Sequence, residues 1–216
     1  MLAPEGLPFL FGAAALAASV LTLAARTDHP ALWGLGGLLA VLTGWVAWFF
    51  RNPERTGDRG ERLVIAPADG RVVLITPVEE PSFVGGPTVR VSIFMNVFDV
   101  HVNRYPVSGR VQHVVRKAGK FLNAVTEASS AENEQASVGI VSGPYRILVR
   151  QIAGLIARRI ITDAVVGDEA RQGARLGLIR FGSRVDVFLP PASTLRVAVG
   201  DRTQAGRSVL AELPPA

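Results

Sequence analysis

Two apolar runs without a single charge, residues 7–25 and 31–50, open this chain. Each is close to the ~20 residues an α-helix needs to cross the hydrocarbon core of a bilayer. The polar break between them, Arg26-Thr27-Asp28-His29-Pro30, puts a proline where a second helix would begin. Trp33, Trp45, Trp48, Phe49 and Phe50 sit near the ends of the second run, where interfacial aromatics belong. A secretory signal would carry a basic start, but Glu5 stands there and a second apolar run follows at once. We therefore expect residues 1–50 to form a two-helix membrane hairpin, with a shallow interfacial hairpin as the alternative. Arg51, Arg55, Arg59 and Arg62 come directly after it. By the positive-inside rule they place both termini, and the rest of the chain, on the cytoplasmic face of the cell (inner) membrane, with Arg26 weighing slightly the other way.

From about Leu63 the pattern becomes short β-rich runs separated by Gly, Pro and Asp. Residues 71–76, 88–94, 109–115 and 145–150 are the clearest strands, and Leu178–Leu189 reads as another. This spacing predicts a mostly β fold over 51–216, a barrel-sandwich-like domain with sheets packed or partly closed on themselves. Residues 120–135 are polar and poor in strand formers, and so read as a long loop or helical turn of the kind that covers a site. One repeat is visible: Val166-Gly-Asp-Glu-Ala-Arg-Gln-Gly173 and Val199-Gly-Asp-Arg-Thr-Gln-Ala-Gly206 share V-G-D-x-x-x-x-G. Each precedes an apolar stretch and reads as a tight turn feeding a strand. The same turn occurs in biotinyl- and lipoyl-type domains, but neither copy here carries the lysine that such a carrier needs.

Composition narrows the chemistry. The chain has no cysteine, so disulfides, thiolate nucleophiles and Cys-ligated metals are excluded. Its three histidines, His29, His101 and His113, make no metal-binding pair; no metal is expected, and a zinc hydrolase is disfavoured. His29 reads as a loop residue and His113 as a solvent-facing strand residue. The net charge of +5 is almost wholly arginine, because Lys117 and Lys120 are the only lysines. Without an aromatic-rich basic stripe, and with the apolar hairpin beside it, this charge points to an anionic membrane surface rather than to nucleic acid.

Seven short motifs then occur in order: Phe50-Arg-Asn-Pro53, Ala66-Pro-Ala-Asp-Gly-Arg-Val72, Phe94-Met-Asn-Val-Phe-Asp-Val-His-Val-Asn-Arg104, Pro106-Val-Ser-Gly109, Gly119-Lys-Phe-Leu-Asn123, Glu132-Asn-Glu134 and Phe181-Gly-Ser183. Together they resemble the phosphatidylserine decarboxylase family in its short, archaeal-type form. The resemblance implies a proenzyme that cuts itself between Gly182 and Ser183 into a large chain (1–182) and a small chain (183–216) that stay together. Ser183 would become a covalent pyruvoyl group, and phosphatidylserine would be decarboxylated to phosphatidylethanolamine through a Schiff base on it. No metal or added coenzyme is implied.

A serine hydroxyl is a weak nucleophile until a base takes its proton. His101 is the best candidate base and Asp69 the best carboxylate to orient it. The resemblance carries Asp69 and Ser183 over directly. Longer-form members have histidines spaced H-x-x-H before a proline, and here those places read His101 and Arg104, with Pro106 following. One residue then covers both roles, or Arg104 binds substrate. Lys120 and Asn123 are further substrate-binding candidates, in the expected lid. Taken singly, each residue has a plainer reading: Asp69 as the turn residue of Asp-Gly, His101 as a strand-end histidine, Gly182-Ser183 as a strand irregularity. The competing functional reading is a membrane-anchored barrel-sandwich adaptor without catalysis, and a homo-oligomer is open under either.

Overall fold

The computed structural model describes residues 1–124, 126, 128–155, 159–180 and 182–215, so Phe181 of the last motif lies outside the described residues. The chain divides into two compact units, Met1–Glu54 and Arg55–Ala216.

In the first unit a 3-10 turn, Pro4–Gly6, leads into helix α1 (Leu7–Thr27), and α2 (Pro30–Phe49) packs back along it. Asp28, at φ +50°, closes α1 in the left-handed conformation, and Pro30 opens α2. Both helices are long and apolar enough to cross a membrane. Gly36 sets how closely they approach, since a Cβ there would fall 2.4 Å from Leu21 Cδ2. The N-terminal strand-like residues close the unit: Ala3 N–H donates to Phe50 O at 2.7 Å and Asn52 N–H to Met1 O at 2.8 Å.

The second unit is built from short strands. In chain order they are β1 (Leu63–Ile65), β2 (Gly70–Glu80), β3 (Gly86–Met95), β4 (Val102–Arg104) and β5 (Gly109–Lys117), then helix α3 (Ala128–Glu132). After it come β6 (Gln135–Ser142), β7 (Tyr145–Ile152), β8 (Arg159–Thr162), β9 (Glu169–Ala170), β10 (Arg175–Arg180) and β11 (Ser183–Leu189). The chain finishes with β12 (Thr194–Leu195), β13 (Arg202–Thr203) and β14 (Val209–Glu212). An eight-stranded antiparallel sheet runs β13-β2-β3-β11-β7-β6-β5-β9, with two three-stranded sheets, β1-β14-β12 and β4-β10-β8. This is the mostly β architecture that the spacing of strands and turns predicts.

Alternation along the central strands decides what each face does. Val185 and Val187 of β11 join Val91 and Ile93 of β3 and Ile147 and Val149 of β7 in the main core. Full burial of such side chains contributes roughly 1.5–3 kcal/mol each. The alternate residues Arg184, Asp186 and Phe188 point to the opposite face, where Arg150 and Glu80 also lie buried or nearly so.

The eight-stranded sheet has an internal pseudo-two-fold: β13-β2-β3-β11 corresponds to β9-β5-β6-β7. The V-G-D-x-x-x-x-G repeat is its visible trace. Val165 N–H donates to Asp168 Oδ2 at 2.9 Å, and Ala198 N–H to Asp201 Oδ2 at 2.8 Å. Gly70 and Gly109 correspond as well: each has φ near +150°, and a Cβ on either would lie 2.1 Å from a carbonyl oxygen of the neighbouring strand. The residues before them correspond too. Asp69 Oδ1 accepts from Ala205 N–H at 2.7 Å, as Ser108 Oγ accepts from Gln172 N–H at 3.0 Å.

One sequence expectation needs correction. The run Leu178–Leu189 is not a single strand: it ends one strand, β10, in a three-stranded sheet and begins another, β11, in the eight-stranded sheet. The corner includes Gly182, at φ +63°. A residue with a Cβ is disfavoured there, which is why the strand pattern on either side can be continuous in sequence and broken in space.

Candidate active site

The corner brings two distant motifs together. Ser183 is the first residue of β11 and opposes Met95, the last of β3. By alternation its side chain shares the core face with Val185. It is fully buried, and its Oγ has no hydrogen-bond partner among the described residues. An orphaned buried hydroxyl is costly in a purely structural role, about 1–3 kcal/mol.

His101, just ahead of β4, is fully buried too. Gly182 N–H donates to His101 Nε2 at 3.2 Å. A backbone N–H can only donate, so Nε2 is the unprotonated nitrogen and the ring proton sits on Nδ1. Nδ1–H in turn donates to the carbonyl oxygen of Asp99 at 3.0 Å. That carbonyl is aimed by a tight turn in which Asn96 N–H donates to Asp99 Oδ2 at 2.9 Å and Asp99 N–H to Asn96 O at 3.0 Å. The imidazole therefore has a fixed tautomer, with its basic nitrogen on the N–H of Gly182, one residue ahead of Ser183.

The carbonyl of Gly182, a half-buried residue, meets the Gly154 backbone on one side: a Cβ placed on Gly154 would lie 2.2 Å from Gly182 O and 3.3 Å from the Ala124 methyl. Gly154 follows β7 and Ala124 precedes α3; both are buried.

Asp69 stands on the turn before β2. Its Oδ1 carries the Ala205 bond that the pseudo-symmetric Ser108 also makes, and its Oδ2 accepts from Arg55 Nη2 at 2.7 Å. The first bond belongs to the duplicated turn, and the second oxygen is what a carboxylate adds to it. Burial raises the Asp69 pKa, against the pull of the Ala205 N–H and the Arg55 charge, with nearby Asp99 raising it further. Arg104 belongs to the same cluster. Its Nη1 donates to Gly173 O at 2.8 Å, and burial together with the Arg55 charge lowers its pKa while Asp69 raises it.

The sequence-predicted residues thus fall into three groups. His101, Gly182 and Ser183 come together. Asp69 and Arg104 form an adjacent charged cluster with Arg55, and the orienting bond on His101 Nδ1 comes from the Asp99 carbonyl. Lys120 and Asn123 lie on the exposed side of the 120–134 segment, where Lys120 pairs with Glu132 at 2.7 Å. His113 is not solvent-facing: it is half-buried with its Nε2 enclosed, its ring 5.5 Å from that of Phe83, because β5 turns this residue toward the Ser82–Phe83 loop.

Two features escape sequence reasoning. Arg55 reads there only as one of the arginines that set membrane topology, and only the fold brings it to Asp69. A buried chain of polar side chains, Thr162 Oγ1 to Gln151 Oε1 and Gln151 Nε2 to Asn103 Oδ1, both 2.8 Å, ends with Asn103 Nδ2 3.5 Å from Met95 Sδ beside Ser183. A cavity of about 770 Å³ lined by Arg62, Ser108, Tyr145 and Arg171 is not at this site. It occupies the pseudo-symmetric end of the β7–β11 pair.

Among the described residues no three His, Asp or Glu side chains group as metal ligands would. The chemistry available to the cluster is that of an imidazole base, a buried hydroxyl and a glycyl peptide in the left-handed conformation that glycine adopts readily.

The phosphatidylserine decarboxylase family model matches residues 42–211. The phosphatidylserine decarboxylase proenzyme of Symbiobacterium thermophilum is 49% identical over 215 residues, covering 99% of this chain and 96% of the relative. The proenzymes of Geobacter sulfurreducens and Geobacter metallireducens are 46% and 44% identical, each covering 99% of this chain and 97% of the relative. With a family match across nearly all of the β unit and relatives matching from end to end, the chain belongs to the phosphatidylserine decarboxylase family of enzymes.

Proposed function

We propose that the chain is a precursor that cuts itself between Gly182 and Ser183, and that the resulting two-chain enzyme decarboxylates phosphatidylserine to phosphatidylethanolamine. The observation that carries this is the contact of His101 Nε2 with the N–H of Gly182, the residue before Ser183, whose buried Oγ is unpartnered among the described residues. Nε2 carries no ring proton, so on exchanging the Gly182 N–H for the Ser183 hydroxyl it can accept the hydroxyl proton as Oγ attacks the Gly182 carbonyl. The space where a Cβ on Gly182 would stand is open, with nothing within 4 Å, so that residue is uncrowded on one side. His101 would be the base and Asp99 O its orienter. Asp69, held by Arg55, would act one step behind as a positioning charge.

The pyruvoyl group made from Ser183 would be held where Ser183 now stands, at the head of β11. The pocket fits it, because a buried polar atom there lacks a partner and because strand pairing to β3 and β7 would retain the small chain after cutting. When formed, the group supplies the electron sink for loss of carbon dioxide. Arg104 and Arg55, partly buried beside Asp69, are the candidates for holding the anionic headgroup; Lys120 and Asn123 would meet it only at the outer edge of the lid. The two apolar helices suit an enzyme of membrane lipids, with the arginines after them setting a cytoplasmic face at the inner membrane.

The test is release of carbon dioxide from carboxyl-labelled phosphatidylserine in mixed micelles. The wild-type protein is expected to release it, and Ser183→Ala to release none. Turnover by Ser183→Ala at the wild-type rate would remove Ser183 from the chemistry.

A further inference from the structure

The residue after the scissile bond, Arg184, is 1% exposed and spends its guanidinium on two things at once. Nε and Nη2 donate to Asp186 Oδ1 and Oδ2 at 2.8 and 2.9 Å. Nη1 donates to the carbonyl oxygens of Ala124 and Thr126, each at 3.2 Å, and Nη2 also bonds Ser130 Oγ. All five N–H donors of the fork are thereby engaged. Ser129 Oγ donates to Thr126 O at 2.6 Å, so the hydroxyl turns at the start of α3 are gathered on the same point. The other end of this segment is pinned separately. Asn133 Nδ2 donates to Leu122 O at 2.9 Å and to Ala153 O at 2.7 Å.

What Arg184 holds down lies beside the backbone that meets the Gly182 carbonyl. Ala124, whose oxygen Arg184 grips, sets its methyl at Gly154, where a Cβ would lie 3.3 Å from that methyl and 2.2 Å from Gly182 O. We propose that Arg184 is a positioning residue that latches Ala124, Thr126 and Ser130 beside the Gly182 carbonyl and, by keeping water from it, decides what the cut produces. This rests on the self-cleavage proposed above.

The chemistry makes water exclusion matter. Attack of Ser183 Oγ on the Gly182 carbonyl breaks the Gly182–Ser183 amide and gives an ester, with the Ser183 amine released. Two fates follow. In elimination, a base removes the Ser183 α-proton and the Cβ–Oγ bond breaks. The Gly182 carboxylate leaves, and the resulting dehydroalanine takes up one water at Cα and loses ammonia to become pyruvoyl. In hydrolysis, water attacks the ester carbonyl of Gly182 and the acyl–oxygen bond breaks, leaving an ordinary N-terminal serine. Both fates cut the chain, but only the first makes the cofactor. A dry cover at the Gly182 carbonyl suppresses the second. Arg184 suits this task because it lies on the small-chain side of the cut and the segment it holds lies on the large-chain side, so the latch survives the cleavage it guards.

The test uses the full chain in detergent and three substitutions. Arg184→Lys keeps a charge for Asp186 but loses the fork. Arg184→Met with Asp186→Leu removes the buried pair together, which avoids leaving a lone buried charge. Ser130→Ala trims the lid side only. Two readouts are taken: intact mass of the small chain, in which serine-ended product is one ammonia heavier than pyruvoyl-ended, and hydrogen exchange across 120–134. Arg184→Lys and the double variant are expected to lose exchange protection there and to raise the ratio of serine-ended to pyruvoyl-ended chain by roughly tenfold, the effect of one charged hydrogen bond of about 1.5 kcal/mol. Ser130→Ala should move both readouts the same way by less.

Protection unchanged in the two Arg184 variants would overturn the latch. Protection lost with an unchanged product ratio, or with a folded chain that stays uncut, would overturn the water-exclusion role. A wild-type chain that is itself uncut overturns self-cleavage instead, and is told apart because the exchange comparison still reads the latch alone.

Discussion

Gly154→Ala is the most discriminating single-methyl change in this protein. The added Cβ would stand 2.2 Å from Gly182 O and 3.1 Å from Gly182 C, whereas ordinary van der Waals contact begins at 3.4 Å. Something must give by 3.4 − 2.2 = 1.2 Å. The obstacle is backbone, not the far end of a flexible side chain, and Gly154 itself has no left-handed φ, so the cost is purely one of space. The movable party is the Gly182 peptide at its corner between two sheets. A shift near 1 Å of a reacting carbonyl costs about a hundredfold in rate, while overpacking of this kind costs about 1–3 kcal/mol in stability. The expected result is a folded precursor that cuts about a hundredfold more slowly. Gly86→Ala, which would meet nothing within 4 Å and has no left-handed φ, should behave as wild type in both respects. The assay is a time course of precursor disappearance by intact mass after synthesis in detergent, with thermal unfolding as the stability control. Gly154→Ala cutting at the wild-type rate would refute the packing of Gly154 against the scissile carbonyl as a constraint on the reaction.

Other outcomes are expected on the same footing. His101→Gln, which keeps a hydrogen-bonding side chain but no base, should slow cutting at least ~100-fold at neutral pH, measured by the same time course; an unchanged rate would move the base elsewhere. Glu80 should support an acid limb of stability. Burial raises its pKa, but bonds from Ser82 Oγ and from the backbone N–H groups of Val84, Phe83 and Ser82 outweigh that and hold it below its ordinary 4.5. A carboxyl depressed in the fold contributes stability above its unfolded pKa and loses it as pH falls through the folded one. Glu80→Gln should therefore unfold about 3 kcal/mol more easily at pH 7 and show a flatter loss below pH ~4.5, read by denaturant titration at several pH values. Removing residues 1–50 should free the β unit from membranes and leave cutting intact, as fractionation and intact mass would show; a chain that no longer cuts would make the helices part of the active unit.

Much of this was legible in the sequence because local chemistry and spacing carry it. Uncharged runs of helical length, the strands at 71–76, 88–94, 109–115 and 145–150, and the V-G-D-x-x-x-x-G turns all declare themselves within a few residues. The ordered motifs supplied the residues of the candidate site, and two of the motifs prove to be partners: Lys120 and Glu132 pair side chain to side chain, and Leu122 is held by Asn133. Other features depend on long-range pairing and were not legible. The break at Gly182 is invisible in a continuous β pattern. Arg55 meets Asp69 only after β2 is seated, and Arg184 has the look of any outward strand arginine until α3 is laid over it. The pseudo-two-fold shows in sequence only at its turns, because the strands it relates share a shape rather than a composition. It also explains Asp69 in part: a serine suffices in the matching turn, so the second carboxylate oxygen, turned to Arg55, is the addition that structure alone does not require.

The central claim is that the Gly182-Ser183 peptide is built to be cut by its own serine, and an intact mass spectrum of the purified full-length protein under denaturing conditions tests it most directly. Two chains are expected, dividing between residues 182 and 183, with the smaller lighter by one ammonia than the sequence 183–216 because a pyruvoyl replaces its first serine. A single chain of full mass, in a sample shown to be folded, would contradict it.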